Sequence, residues 1–211
     1  MYLGRIVAAG ITPAGKPLAA YRVSSRSFPN RSAKVINGKI AVLPRQGHED
    51  DLAKNPYIAY NCVRLSGAVA LATNGSQTDP IIEKIIMGLP LRDAFALPLL
   101  AMDYEKDHLD TPRIAAAVDA ASGKCMFGIV RKDAVLVREM TARPGQIFFL
   151  STYEDNYPCE TFTDTDFRAE TAEEACLHMI SGGVFAGFEH PVTAAAAVWN
   201  GTAYDLAARD A

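Results

Sequence analysis

A tight turn at Asn37-Gly38 is the feature that most narrows the folds open to this sequence of 211 residues. The turn lies in AKVINGKIAVL (residues 33–43), where β-branched residues alternate with other types on both sides. Asn-Gly adopts the positive backbone angles of a type I′ turn, which joins two neighbouring antiparallel strands. The segment is therefore predicted to form a β-hairpin.

Similar pairs of apolar runs with short connections recur four times along the chain. Strands that are adjacent in sequence and joined by tight turns pair antiparallel, so the pattern predicts antiparallel sheets. The predicted pairs are residues 2–9 with 18–24, 60–66 with 69–73, 124–131 with 134–139, and 192–199 with 203–208.

Two segments with apolar residues at helical spacing lie between the second and the third of these strand pairs. Asp79 is predicted to cap a helix that has Pro80 at its first position and ends near Gly88. A second helix is expected over residues 91–102, kinked or interrupted at Pro98 because proline lacks the N–H that a helix interior needs.

A third helix is predicted late in the chain. Thr171 and Glu174 have the spacing of a capping box, and Gly182-Gly183 provides a stop. Hairpins interspersed with helices in this order predict an α+β fold, in which helices cover the outer faces of antiparallel sheets. No repeat, low-complexity tract or linker divides the sequence, so residues 1–211 are expected to form a single domain.

The charges are distributed unevenly. Residues 1–48 carry eight basic and no acidic side chains, although the whole chain has 21 Lys and Arg against 24 Asp and Glu. A protein that follows a polynucleotide needs a broad positive surface, so we expect no nucleic-acid partner. The basic segment suits either the binding of one small anion or a set of solvated strand residues, and composition favours neither.

The sequence lacks the motifs that mark membrane spans, signal peptides, common metal sites and common nucleotide sites. No apolar run reaches the about 18 residues that span a bilayer, and the run after Arg5 is too short for a signal peptide, so we expect a cytoplasmic protein without a membrane partner. The chain has no CxxC, HExxH, P-loop or GxGxxG motif, and we expect neither metal nor cofactor. Residues 48–51 offer oxygen and nitrogen ligands, but such a run is more typical of a solvated loop.

Polar residues concentrate where predicted strands end, first in YRVSSRSFPNR (residues 21–31). Guanidinium groups match phosphate oxygens two at a time, and hydroxyl groups add further hydrogen bonds. This arginine-serine run is therefore a candidate phosphate site, with a polar surface loop as the alternative. Its candidate substrate-binding residues are Arg22, Ser24, Ser25, Arg26 and Arg31.

Six motifs in order resemble the archaeal-type IMP cyclohydrolase family. No counterpart is identified for residues 119–146 and 155–170, so no role is carried onto them. The motifs are MYLGRI at the start, YRVSSRSFPNR, NPYIAYNC from residue 55, NGS from residue 74, LLAMDYEKD from residue 99 with TPRIAAA after it, and HPVTAAAA from residue 190.

The resemblance implies both a fold and an activity. The implied fold is an αββα sandwich of antiparallel sheets flanked by helices, resembling N-terminal nucleophile hydrolases. The implied reaction is the dehydrative closure of 5-formamidoimidazole-4-carboxamide ribonucleotide to inosine monophosphate, the last step of de novo purine synthesis. A homo-oligomer acting on this small purine ribonucleotide is also implied.

The residue types suit this chemistry. A carboxamide nitrogen must attack the neighbouring formyl carbon, charge must be stabilised on the formyl oxygen, and protons must move. The resemblance places Tyr60 and Glu105 at the reacting centre as catalytic residues. The remaining expected substrate-binding residues are Asn61, Asn74, Tyr104 and Arg113.

Other interpretations stay open at this stage. Tyr60 can be ordinary half-buried packing, and Glu105 can belong to a solvated helix end. An N-terminal nucleophile amide hydrolase needs Cys, Ser or Thr at a processed terminus, whereas removal of Met1 exposes Tyr2. A non-catalytic nucleotide-binding module would keep the arginine-serine run but has no use for Glu105.

Overall fold

A computed structural model describes all residues, 1–211, as thirteen strands and four α-helices with two short 3₁₀ segments, Pro56–Ile58 and Gly183–Gly187. The strands are β1 (Ile6–Ile11), β2 (Pro17–Ser24), β3 (Arg31–Ile36), β4 (Lys39–Pro44), β5 (Tyr60–Ser66), β6 (Val69–Thr73), β7 (Arg113–Asp119), β8 (Lys124–Arg131), β9 (Ala134–Thr141), β10 (Gln146–Ser151), β11 (Thr163–Asp164), β12 (Pro191–Trp199) and β13 (Tyr204–Asp210). The helices are α1 (Asp51–Lys54), α2 (Thr78–Ile86), α3 (Leu91–Met102) and α4 (Ala172–Ser181).

The strands form two antiparallel sheets, which confirms the predicted α+β class. The first sheet has the order β11-β10-β1-β2-β12-β13, and the second has β3-β4-β5-β6-β7-β8-β9. All five predicted hairpins are present. Asn37 and Gly38 have φ angles of 49° and 74°, as the type I′ turn between β3 and β4 requires.

The two sheets pack face to face, and helices lie on their outer faces. A core of 26 buried residues joins the sheets, including Val7 of the first and Ile129 of the second. Met179 belongs to a separate core that packs α4 on the first sheet. Phe95 belongs to a third core that packs α2 and α3 on the second sheet. The layers therefore follow the order helix, sheet, sheet, helix.

The central strands of the first sheet are buried along their whole length. Every residue of β1 and of β2 is buried, because one face meets the second sheet and the other meets α4. Strands covered on both faces carry nearly continuous apolar sequence. A polar side chain in such a strand must therefore find its partners inside the protein.

The predicted cap of α2 is wrong, and of the two outcomes predicted at Pro98, a kink or an interruption, the interruption is absent. Helix α2 begins at Thr78 with Gln77 at its N-cap, so Pro80 occupies the third helical position and Asp79 is no cap. The Asp79 carboxylate is engaged instead by two side chains of β5. Helix α3 continues through Pro98 without interruption, and this proline is buried.

Helix α4 begins and ends as predicted. The Thr171 hydroxyl accepts from the Glu174 N–H at 3.2 Å, and the Glu174 carboxylate accepts from the Thr171 N–H at 3.1 Å. Gly182 is the C-cap. None of the helices combines the length and the apolar character needed to cross a membrane.

Candidate active site

Six polar side chains from both sheets meet in the space between the sheets. Because β3, β5 and β7 alternate with antiparallel neighbours, all three run in the same direction and their first residues lie at the same end of the second sheet. Each of the three begins with a residue of this group, and strand β2, the residue before β1 and the loop after α3 supply the others. The group, called here the Glu105 cluster, consists of Arg5, Tyr21, Arg31, Tyr60, Glu105 and Arg113.

Glu105 is the acid of this cluster and is only 1% exposed. Arg5 Nη2 donates to its Oε2 at 3.2 Å, and Arg113 Nη1 lies 3.7 Å from its Oε1. Burial raises the pKa of the Glu105 carboxyl, while the charges of Arg5, Arg113 and Arg31 act against this shift, and the net pKa remains above the ordinary 4.5. Glu105 is thus a buried carboxyl held among three guanidinium groups, which rules out a solvated helix end.

Two phenols share Arg5 and Arg31 as charged neighbours with this acid. The hydroxyl oxygens of Tyr21 and Tyr60 are 2.6 Å apart, with one residue on each sheet. Burial raises the pKa of both phenols, that of Tyr60 against the opposing charges of Arg31 and Arg5. Both hydroxyl groups are therefore protonated hydrogen-bond donors at neutral pH.

Three atoms of the cluster are buried without a hydrogen-bond partner: Arg5 Nε, Arg31 Nη1 and Glu105 Oε1. No other side chain in the protein leaves a buried nitrogen or oxygen unpaired. An unsatisfied buried polar atom costs about 1–3 kcal/mol, so such atoms are rare and need an explanation. Two donors and one acceptor gathered at one place indicate a site that binds a polar ligand.

Asn74 and Gln77 hold Arg113 in position. Arg113 donates to the Asp103 carbonyl at 2.8 Å and to Gln77 Oε1 at 3.1 Å. Gln77 donates in turn to Asn74 Oδ1 at 2.7 Å, and Asn74 Nδ2 donates to the Pro112 carbonyl at 2.9 Å. Because both ends of the Asn74 amide are engaged, the structure places it behind the cluster as a support.

Gly75 lets the backbone approach the cluster closely. A Cβ atom at this position would lie 3.0 Å from Arg113 Nη1, 3.1 Å from Glu105 Oε1 and 2.6 Å from Gln77 Oε1. These distances are too short for a side chain without a shift of the charged groups. The NGS motif therefore contributes a glycine as well as an asparagine to the surroundings of Glu105.

Three residues of the arginine-serine run do not join the cluster. Successive residues of a strand point to opposite faces, so Tyr21 faces the second sheet while Arg22 faces α4. The Arg22 guanidinium donates to main-chain carbonyls at the end of α4 and in the segment after it. Ser24 accepts from Arg22 Nε at 2.9 Å, and the Ser25 hydroxyl accepts from the Phe28 N–H at 3.0 Å. The hydrogen bonds of these three residues therefore stabilise the fold.

Arg26 lies at an open cleft of about 660 Å³ that Tyr2 and Tyr153 also line. Its guanidinium carbon is 4.2 Å from the centre of the Tyr2 ring, and it forms an exposed ion pair with Glu189 at 3.1 Å. The Tyr153 hydroxyl lies 3.2 Å from Thr111 Oγ1, and the Thr111 carbonyl accepts from the Glu105 N–H at 2.8 Å. The cleft therefore lies next to the loop that carries Glu105.

A second cleft, of about 340 Å³, gives access to Tyr60 and Asn61. Asn61 Nδ2 donates to both carboxylate oxygens of Asp79, at 3.0 and 2.9 Å. Tyr104 does not belong to the Glu105 cluster. Its half-buried ring lies under the Lys106 ammonium, 3.4 Å from it, and no contact joins the ring to the cluster. The two clefts lie at Tyr60 and beside the loop of Glu105.

Reasoning from the sequence missed four residues of this region: Arg5, Tyr21, Gln77 and Tyr153. Arg5 and Tyr21 stand in motifs that carry the family resemblance, but no role was assigned to them. The signal for Arg5 was its position directly before the buried strand β1. The signal for Tyr21 was the alternation of side chains between the two faces of β2. No group of three or more His, Cys, Asp and Glu side chains is placed to share a metal ion.

The fold and the site define an α+β protein with two facing antiparallel sheets and an acid, arginine and tyrosine cluster buried between them. Residues 2–203 match the family described as IMP cyclohydrolase-like protein, and the chain belongs to this family. This match confirms the resemblance seen in the motifs.

Curated proteins named IMP cyclohydrolase are similar to this chain over nearly its whole length. One from Methanosphaera stadtmanae is 48% identical over 197 residues, covering 93% of this chain and 94% of the relative. One from Methanocella arvoryzae is 48% identical over 198 residues, covering 93% and 92%. One from Methanocaldococcus jannaschii is 42% identical over 201 residues, covering 94% of each.

Proposed function

We infer that this protein is an IMP cyclohydrolase, an enzyme that closes 5-formamidoimidazole-4-carboxamide ribonucleotide to inosine monophosphate and releases water. Family membership and the three curated relatives support the activity and a purine nucleotide substrate. The structural observation that supports it most directly is the Glu105 cluster, whose unpaired polar atoms suit a substrate that carries both amide N–H groups and carbonyl oxygens.

A direct assay tests this function. Purified protein is mixed with the formamido ribonucleotide, and ring closure is followed by ultraviolet absorbance, with the product identified as inosine monophosphate by chromatography. Product formation is expected at a rate proportional to enzyme concentration. Binding of the nucleotide without turnover would point instead to a nucleotide-binding module, and hydrolysis of the formamide would point to an amide hydrolase.

We propose that Glu105 and Tyr60 share the proton transfers of the first step. The Glu105 carboxylate removes a proton from the carboxamide nitrogen while this nitrogen forms its bond to the formyl carbon. The Tyr60 hydroxyl gives its proton to the formyl oxygen, which becomes the hydroxyl of a cyclic carbinolamine. Arg31 and Arg5 have unpaired donors for the negative charge that develops on that oxygen.

The second step expels water and restores both residues. The carbon–oxygen bond of the carbinolamine breaks, and the proton held by Glu105 leaves with the hydroxyl as water. The former formamide nitrogen loses its proton to the Tyr60 phenolate while the new carbon–nitrogen double bond forms. One water is released per ring closed, and the carboxylate and phenol end as they began.

Substrate binding is proposed to use both clefts. Arg26 binds the 5′-phosphate at the open cleft, because an exposed ion pair such as that with Glu189 is weak enough to be exchanged for a phosphate. Arg113 binds near the reacting groups, and Asn61 lies in the cleft beside Tyr60. Arg22, Ser24 and Ser25 are left out of the proposal, and Asn74 and Tyr104 take at most an indirect part.

Replacement of Arg26 by Ala should weaken binding of the nucleotide by about tenfold or more, because hydrogen bonds to charged groups contribute about 1.5–3 kcal/mol each. Binding is measured by calorimetry with inosine monophosphate and with inosine, which lacks the phosphate. Arg168→Ala, which removes an exposed arginine from a distant ion pair, is the control. Equal losses of affinity for nucleotide and nucleoside would show that Arg26 does not contact the phosphate.

The pH dependence of kcat/KM, which reports the free enzyme, should follow the raised pKa of each of the two catalytic residues. A base must be deprotonated, so kcat/KM should fall with decreasing pH through the pKa of Glu105, with a midpoint above 4.5. Tyr60 must be protonated, so activity should persist to a pH above its ordinary 10.0. The profile of kcat/KM is measured in constant-ionic-strength buffers, and an acid midpoint below 4.5 would contradict the role given to Glu105.

We further propose that the layer order is that of the N-terminal nucleophile hydrolases and that residues 1–211 act as one domain. The helix, sheet, sheet, helix arrangement and the core shared by both sheets support these two proposals.

The expected homo-oligomer rests on the family resemblance, and its size is measured by size-exclusion chromatography with light scattering. Independence of metal and cofactor stays a prediction, and undiminished activity in EDTA is its test.

A further inference from the structure

The Tyr21 hydroxyl has one hydrogen-bond partner in the protein, the Tyr60 hydroxyl at 2.6 Å. Tyr21 is fully buried, between the sheets and away from solvent. A buried O–H group must donate to an acceptor, because an unpaired buried donor costs free energy. The Tyr21 proton therefore lies in the hydrogen bond to the Tyr60 oxygen.

This direction determines where the Tyr60 proton can point. A phenol donates one hydrogen bond and accepts others, so Tyr60 accepts from Tyr21 and keeps its own proton for a different partner. Tyr60 is 8% exposed and lines the smaller cleft, whereas Tyr21 does not reach it. The hydrogen bond also lowers the pKa of Tyr60 and raises that of Tyr21, as expected when Tyr21 is the donor, although burial is the largest influence on both and the net pKa shift is upward.

We propose that Tyr21 is a positioning residue for the ring closure, whose hydroxyl directs the Tyr60 proton to the formyl oxygen and stabilises the Tyr60 phenolate after that proton has left. The proposal rests on the inferred cyclohydrolase function and adds to it a residue that touches no substrate. Its contribution arises in the transition state, where charge develops on the Tyr60 oxygen.

The test compares Tyr21→Phe with the parent protein in the ring-closure assay. Loss of the hydroxyl should lower kcat by about tenfold, the effect of one hydrogen bond that strengthens in the transition state, and should change KM by less than about twofold. Tyr204→Phe is the matched control, because this buried tyrosine of the same core donates to the carbonyl of Ala68. It should keep the parent kcat, and circular dichroism melts of both variants report whether the fold is kept.

A double-mutant cycle separates an action through Tyr60 from an independent one. If Tyr21 acts through the Tyr60 hydroxyl, Tyr21→Phe should cost nothing further in a Tyr60→Phe background. A parent-like kcat for Tyr21→Phe, or an equal loss in both backgrounds, would overturn the proposal while leaving the cyclohydrolase function intact. Failure of the parent protein to form inosine monophosphate would instead refute the function, and the proposal with it.

Discussion

Replacing Glu105 with Gln is expected to lower kcat by about 10²- to 10⁴-fold, the usual contribution of a positioned acid or base. Glutamine keeps the shape of the side chain but cannot take a proton from the carboxamide nitrogen. Arg5 can still donate to the amide oxygen, so the site keeps much of its geometry. The loss should therefore fall on kcat much more than on KM, as measured by steady-state kinetics of ring closure.

A matched substitution shows whether this loss is specific. Glu139→Gln removes an exposed carboxylate that pairs with Lys124 at 2.8 Å and should leave kcat unchanged. Near-parent turnover in Glu105→Gln, with an unchanged circular dichroism spectrum, would exclude Glu105 from proton transfer. A KM increase with unchanged kcat would assign Glu105 to substrate binding alone.

The second large effect is expected at Arg5, whose guanidinium is the nearest cation to Glu105. Arg5→Met keeps the length of the side chain and removes the charge. Because a nearby positive charge favours the ionised carboxylate, its loss should raise the pKa of Glu105 further. At neutral pH, kcat should fall by at least about tenfold, because Arg5 also has a free donor for the charge that develops in the transition state.

The pH profile distinguishes this effect from simple loss of structure. The acid limb of kcat/KM should move to higher pH in Arg5→Met, so that part of the lost activity returns as the pH is raised. Arg5→Lys, which keeps the charge, should move the limb less. Arg138→Met, at an exposed pair with Glu160, is the control for removal of an arginine. An unmoved acid limb in Arg5→Met would refute the electrostatic role.

The parts of the fold that could be predicted are those determined by residues close together in the sequence. The turn at Asn37-Gly38 and the capping box of Thr171 with Glu174 are set by a few consecutive side chains, and both are present. Strands β7 and β10 were not predicted as members of the sheets. Each has one partner far away in sequence, since β7 pairs with β6 across two helices and β10 pairs with β1, although β7 also forms a hairpin with β8 that the sequence analysis did not identify.

Family motifs were enough to predict two members of the Glu105 cluster. The sequence did not predict which residues of a strand point toward the cluster. Tyr60 and Glu105 were expected at the reacting centre, and the structure places them in one cluster. Arg22 was expected to bind substrate and Tyr21 was not considered, although the two are neighbours. A one-residue difference along a strand reverses the face, and both faces of β2 are buried, so alternation alone could not tell which face contributes to the Glu105 cluster.

The sequence by itself determined the α+β class, the hairpins, the family and the chemical types available for catalysis, because turns, caps and long motifs are properties of contiguous residues. Only the tertiary structure decided which charges meet. Arg5 and Glu105 are a hundred positions apart and lie 3.2 Å from each other because β1 and the loop before β7 are brought together by the packing of two sheets. Burial between those sheets shifts the pKa of Glu105, since desolvation depends on surroundings that no local pattern specifies.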